Sequence, residues 1–172
     1  VSAAYNPALL YPYGGRKGEP QWNRAKVEMW MDWVVASFHE HNHYLIDGIA
    51  RTLPEKRQIN KIQTAHLGYV ALLSRVGNWL LEKEYRYVCG ERLSAADVAL
   101  GCEINRWNLC WHAAKRDGID LPVPEEFRRS METLANYYDI LGQNKGFLEC
   151  VYRNECEHQR IDPDIWRRLP HS

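Results

Sequence analysis

Ile59, Ile62, His66, Tyr69, Leu73, Val76 and Leu80 recur at spacings of three and four without a break. That is the period of one face of an α-helix, held for about six turns. An amphipathic stripe of this length needs a partner along its whole length. It fits the interior of a helical bundle or a seam between subunits. The spacing predicts a helix over 55–84, ending in Glu82, Lys83 and Glu84.

Other segments repeat the period. Val27, Trp30, Val34, Phe38 and His41 mark a first helix over 21–46, with Met31 and Trp33 widening its stripe. Gly48 and then Leu53-Pro54 stop it. A third helix is expected over 94–117. Ser94 sits at its N-cap and Asp97 at N3, a reciprocal capping box, with Leu93 and Val98 placed as a hydrophobic staple. Cutting Ser94 back to Ala would cost about 1 kcal/mol. Lys115 and Arg116 in the last turn, then Gly118, read as a helix stop. A fourth helix follows Pro124, with Phe127, Met131, Leu134, Tyr138 and Leu141 as its apolar face, and a short one is expected near 147–156. No period-2 pattern appears. The expected class is therefore all-α, a bundle of four to five main helices. Pro7, Pro12, Gly14, Gly15, Gly18 and Pro20 make 1–20 an irregular lead-in that reads as a linker remnant whose upstream neighbour is missing. Residues 21–154 form the helical domain and 155–172 a tail.

Charge excludes some functions. Lys plus Arg and Asp plus Glu are 22 each, so no electrostatic footprint for nucleic acid stands out. No apolar run is long enough for a membrane span, and no secretory signal opens the chain. The cysteine count, 5, is odd in a chain of 172 residues, which fits reduced thiols in a cytoplasm. Cys102 and Cys110, in mid-helix, read as small core residues.

Several motifs compete. His39-Glu40-His41-Asn42-His43 satisfies His-Glu-x-x-His, in which two histidines on one helical face hold zinc and Glu40 acts as general base. The third ligand and the neighbouring sheet that such a hydrolase needs have no trace in the sequence, so zinc hydrolysis stays a remote alternative and no metal is expected. Cys150, Cys156 and His158 match no compact zinc module. Trp30 and Trp33 on the first helix, and Trp107 and Trp111 on the third, would bring four indoles to one cleft with Phe38 if those helices pack; core filling is the plainer reading. Asp32 lies between Met31 and Trp33 on a largely apolar helix. It is either a solvated acid or a carboxylate that meets a cation at a cleft or interface.

Tyr87-Val88-Cys89-Gly90 followed by Ser94-Ala95-Ala96-Asp97 resembles the opening of the central buried helix in the C-terminal domain of glutathione transferases. Arg24-Ala25-Lys26-Val27-Glu28-Met29-Trp30-Met31-Asp32-Trp33 is similar to that domain's first helix. Asn6-Pro7-Ala8-Leu9-Leu10-Tyr11-Pro12 is similar to the passage joining the family's two domains, and Tyr137-Tyr138-Asp139-Ile140-Leu141 to its late helix. The wording around Tyr87 is nearest to bacterial theta-like members. Asn144-Lys145-Gly146 departs from the Arg-Pro that usually follows the late helix.

This resemblance implies a soluble, cytoplasmic detoxification enzyme in which glutathione thiolate attacks a small apolar electrophile. It implies that the bundle lines the electrophile site with Phe38, Asn42, Trp107 and Trp111. Asp32 would reach the glutathione amino group across a homodimer, and Glu28 and the second-helix stripe would lie where the subunits meet. Ser94 and Asp97 would be structural. Glutathione itself, and the catalytic residue, belong to an N-terminal thioredoxin-like domain that these residues do not include, so no catalytic residue is assigned and the chain alone is expected to be inactive. The alternative within the same fold is a non-catalytic module for protein assembly.

Overall fold

The computed structural model describes residues 22–147 and Val151. The elements are α1 (Trp22–Asn42), a π-helical segment (His43–Arg51), a 3₁₀ turn (Pro54–Lys56), α2 (Ile59–Lys83), α3 (Ala95–Arg116), a second 3₁₀ turn (Glu125–Phe127), α4 (Arg128–Gly142) and the single turn α5 (Lys145–Phe147). Among these residues the one β-type pairing is an isolated bridge between Tyr87 and Gly90. The all-α reading holds. Tail residues 155–172, the lead-in 1–20 and the Cys150, Cys156, His158 cluster lie outside the described residues.

The long stripe is spent inside the chain. Ile62, His66, Tyr69, Leu73, Val76 and Leu80 are all buried, and α2 packs along α4, α1 and the π-helical segment. It is bundle interior, so it is not open as a subunit seam. Ile59, at the frayed start, is 39% exposed. The helix begins there rather than at 55, because Pro54 nucleates a separate 3₁₀ turn and Arg57 is extended. At the other end Glu84 adopts the left-handed conformation, φ 52°, that terminates α2.

Two helix ends were well marked in the sequence. The capping box at Ser94 forms as expected. Gly118, at φ 73°, closes α3: its N–H donates to Lys115 O at 3.2 Å and that of Ile119 to Ala114 O at 2.8 Å, the paired bonds of a Schellman stop. The change of register at the end of α1 carried no mark, and Gly48 does not stop the helix. Its helix does not stop near 46 but widens into π register through Arg51, burying Leu45, Ile46 and Ile49. Arg57 caps that segment from below. Its guanidinium donates to Ile49 O at 2.8 Å and Thr52 O at 3.1 Å, and pairs with Asp117 at 2.7 Å, which ties the segment to the end of α3. The fourth helix opens with a 3₁₀ turn at Glu125, and its α part starts at Arg128.

Candidate substrate-binding face

The polar chemistry buried in the bundle hangs on α3. Near its start, Asp97 is fully buried and takes four donors: Val88 N at 2.8 Å and Tyr137 Oη at 2.8 Å on Oδ1, Ser94 N at 2.7 Å and Ser94 Oγ at 2.6 Å on Oδ2. Burial pushes this carboxyl above its ordinary range, and the four donors pull against that rise. The box is thus larger than a helix cap. It fastens the loop at Val88 and the helix α4 to one carboxylate. Tyr137, rather than its neighbour Tyr138, is the buried tyrosine of α4; the three- and four-residue spacings from Leu134 both allow a core position, and the aspartate selects between them.

Two turns along α3, Glu103 is 6% exposed. Tyr69 Oη of α2 donates to its Oε2, Asn42 Nδ2 of α1 donates to the same oxygen at 3.0 Å, and Arg106 Nη1 pairs with Oε1 at 2.7 Å. A buried carboxylate is tolerable with a counter-ion and donors of this kind. Burial, then the charge of Glu103, raises the Tyr69 hydroxyl well above the ordinary phenol range, so it stays a donor.

One turn further, Trp107 Nε1 donates to His66 Nδ1 at 3.3 Å, and His66 Nε2 donates to Pro122 O at 3.1 Å. An indole only donates and a carbonyl only accepts, so His66 is held as the neutral Nε2–H tautomer. Burial lowers its pKa, in the same sense. The rings then stack in a ladder. Trp107 lies 6.1 Å from His66 and 6.5 Å from Trp111, with interplanar angles of 17° and 29°. Lys115 Nζ sits 5.1 Å from the Trp111 ring centre. Trp111 Nε1 donates to Leu121 O at 3.2 Å. Beside Trp111 a cleft of about 330 Å³ is lined by Trp111, Lys115, Ile119, Asp120, Leu121, Pro122 and Val123.

The expected site residues fall as follows. Phe38 is fully buried, edge-on to Trp33 at 5.7 Å and to Tyr69 at 4.8 Å, and touches the network only through Tyr69. Asn42 joins the Glu103 network. Trp107 and Trp111 form the half-buried ladder. The single cleft of four indoles does not form. Trp30 packs on Trp33 at 5.2 Å and on Trp79 at 5.7 Å. That cluster sits near the end of α2, whereas Trp107 meets α2 at His66, about 20 Å away along the helix axis. Asp32 is exposed on the outer face of α1, near Met29 and Val35, which are 55% and 73% exposed.

His39 and His43 are both exposed, and His43 Nδ1 lies 2.8 Å from Asp47 Oδ2. Among the described residues no three His, Cys, Asp or Glu side chains converge as a metal site would require. Cys110 is core, as expected, whereas Cys102 is only half-buried against it. Burial pushes the Cys89 thiol up to about 11, away from nucleophilic use.

Glu103, Arg106, His66 and the Tyr69 hydroxyl were missed as polar partners. The signal for Glu103 was present: it falls on the stripe of α3 between Leu100 and Trp107, and an acid on a core stripe with Arg at i+3 calls for a buried network.

No protein-family profile matches this sequence, and no curated protein matches it either. Solved structures do. The theta class glutathione S-transferase from the citrus canker pathogen Xanthomonas axonopodis pv. citri, with glutathione bound, aligns at 24% identity over 84% of this chain, with a TM-score of 0.61. Its apo form aligns at 25% identity over 87%, with a TM-score of 0.63. This chain spans about two thirds of those structures, 65% and 66% of their lengths. The fold is thus that of a glutathione transferase C-terminal-like helical domain.

Proposed function

We propose that this chain is the electrophile-binding and dimer-forming side of a cytoplasmic glutathione transferase-like protein. The likeness of fold to a theta class transferase, over 84–87% of this chain, carries the reading. In the whole protein, glutathione thiolate would attack an apolar electrophile seated against the Asn42, Trp107 and Trp111 side of the bundle. A preorganised, half-buried indole surface suits such a ligand: it removes apolar area from water at about 25 cal/mol per Å² without needing an ionic partner. Thiolate stabilisation, and the residue that provides it, would come from a thioredoxin-like domain. Asp32, exposed on α1, suits an acid that meets an ammonium group presented by a second subunit.

Two measurements test this. A haloaromatic electrophile titrated into the purified chain should quench tryptophan fluorescence saturably, and Trp107→Ala should weaken that quenching. The same chain mixed with glutathione and electrophile should give no conjugate above the uncatalysed rate. Quenching that never saturates would remove the electrophile site, and conjugation by the chain alone would overturn its dependence on another domain.

A further inference from the structure

The end of α3 carries more than an indole surface. Three bonds anchor the loop that walls its cleft: Trp111 Nε1 to Leu121 O at 3.2 Å, His66 Nε2 to Pro122 O at 3.1 Å and Gln63 Nε2 to Asp120 O at 3.1 Å. The Schellman bond from Ile119 N fixes the loop's start. Its walls Ile119 and Leu121 are 9% and 4% exposed, so they are set by the core. A volume of about 330 Å³ is at the small end of the range for ligand pockets, enough for one or two fused rings.

Charge at this end is uneven. Arg57 and Arg116 both spend their guanidinium groups on Asp117, at 2.7 and 2.9 Å. Lys115 lines the cleft, and among the described residues no carboxylate lies within ion-pairing distance of it. Its ammonium rests over the Trp111 ring, a contact of modest strength at an exposed site. Asp120 also lines the cleft, on the exposed loop and out of ion-pair range of Lys115. A flat apolar wall beside a cation that has no anionic partner among the described residues selects a flat apolar ligand that carries an anion.

We propose that this cleft is a binding site for a small aromatic carboxylate, with its ring against Trp111 and its carboxylate on Lys115. The site goes beyond the transferase reading. It needs neither glutathione nor a second domain, and it shares only Trp111 with that reading. The carboxylate replaces a weak cation–π contact by a charge-assisted hydrogen bond, and the ring fills apolar space between Leu121 and Val123.

The test uses the full 172-residue chain, 1-naphthoate as the anionic probe and 1-naphthalenemethanol as its neutral counterpart, read by calorimetry. Naphthoate should bind saturably and more weakly as salt rises. Lys115→Met should weaken it about tenfold, the loss of one charge-assisted contact of about 1.4 kcal/mol. The alcohol should bind more weakly than naphthoate and change less than about twofold in that variant. Lys115 is exposed, so the variant should fold normally, and an unchanged melting curve checks this. Trp111→Phe, which keeps a ring but loses the bond to Leu121, should weaken both probes. Equal affinity for the two probes, or no effect of Lys115→Met on naphthoate, would overturn the anionic class. Absence of binding by naphthoate would overturn the site. If a haloaromatic electrophile still quenches in that last case, the transferase reading stands alone; if naphthoate binds and the electrophile does not, the reverse holds.

Discussion

At the scale of single residues, the buried Asp97 carboxylate and the buried His66 imidazole carry the sharpest predictions. All four groups around Asp97 are donors, so its removal leaves several buried N–H and O–H groups unpaired at about 1–3 kcal/mol each. Asp97→Ala should therefore lose at least about 3 kcal/mol by urea unfolding, well beyond the roughly 1 kcal/mol of a lost N-cap. Tyr137→Phe removes one donor only and should lose less; equal losses in the two variants would mean that the aspartate is no hub. His66 gives a pH dependence. Its pKa is lowered in the folded state by burial, so the unfolded chain binds the proton more readily. Its stabilising contribution is complete above the ordinary histidine value of about 6.5 and is lost as pH falls below that value toward the folded one. Protonation would also set an N–H on Nδ1 against the N–H of Trp107. Between pH 7 and 5.5 the chain should lose stability, and His66→Gln should flatten that slope; an equal slope in the variant would refute the assignment. These roles were partly legible. Ser94 and Asp97 could be read from local spacing, because a capping box is closed within four residues. The partners Tyr137 and Val88 could not, because they arrive from outside that window.

At the scale of elements, one close helix contact and one strained helix end carry the predictions. Gly77 lies where α2 crosses α4, and a Cβ there would stand 2.1 Å from the Ser130 carbonyl oxygen. Backbone cannot yield as a side-chain tip can. Gly77→Ala should force α2 and α4 apart and cost more than the usual 1–3 kcal/mol of overpacking, despite alanine's better helix propensity; a neutral or stabilised variant would show that the helices pack more loosely. Glu84 sits at the end of α2 with φ 52°, where a side chain is strained. Glu84→Gly should relieve that strain and raise stability by about 0.5–1 kcal/mol in thermal melts, and Glu84→Ala should not. The stripe on α2 and the stops at Gly118 and Pro54 made most of the helices readable. The π-helical segment was not readable, because His43 to Arg51 has the same apolar spacing as an α-helix. Its register is set by what Leu45, Ile46 and Ile49 pack against and by the Arg57 cap.

At the scale of the whole molecule, the outer face of α1 bears on assembly. Met29 and Val35 are exposed apolar groups around Asp32. In the proposed homodimer this face lies at the subunit contact. Val35→Glu should then leave the melting curve of the monomer within about 0.5 kcal/mol, as surface changes do, and shift sedimentation toward the monomer. An unchanged oligomeric state would place the contact elsewhere.

The sequence by itself determined the helical class, the order of the helices and the likeness to the transferase domain, because periodicity and helix-end chemistry are written within a few residues of each position. Tertiary structure alone decided which polar groups meet. Glu103 finds Tyr69 and Asn42, and His66 finds Trp107 and the Pro122 carbonyl, across 27 to 61 positions of chain wherever Asn42, Tyr69 and Glu103 are concerned and across 41 and 56 for His66. It also set Trp30, Trp33 and Trp79 about 20 Å along α2 from Trp107 and Trp111. A helix carries its side chains about 1.5 Å apart along the axis, so residues that share a face in sequence are brought together, or kept apart, only by where the neighbouring helix crosses.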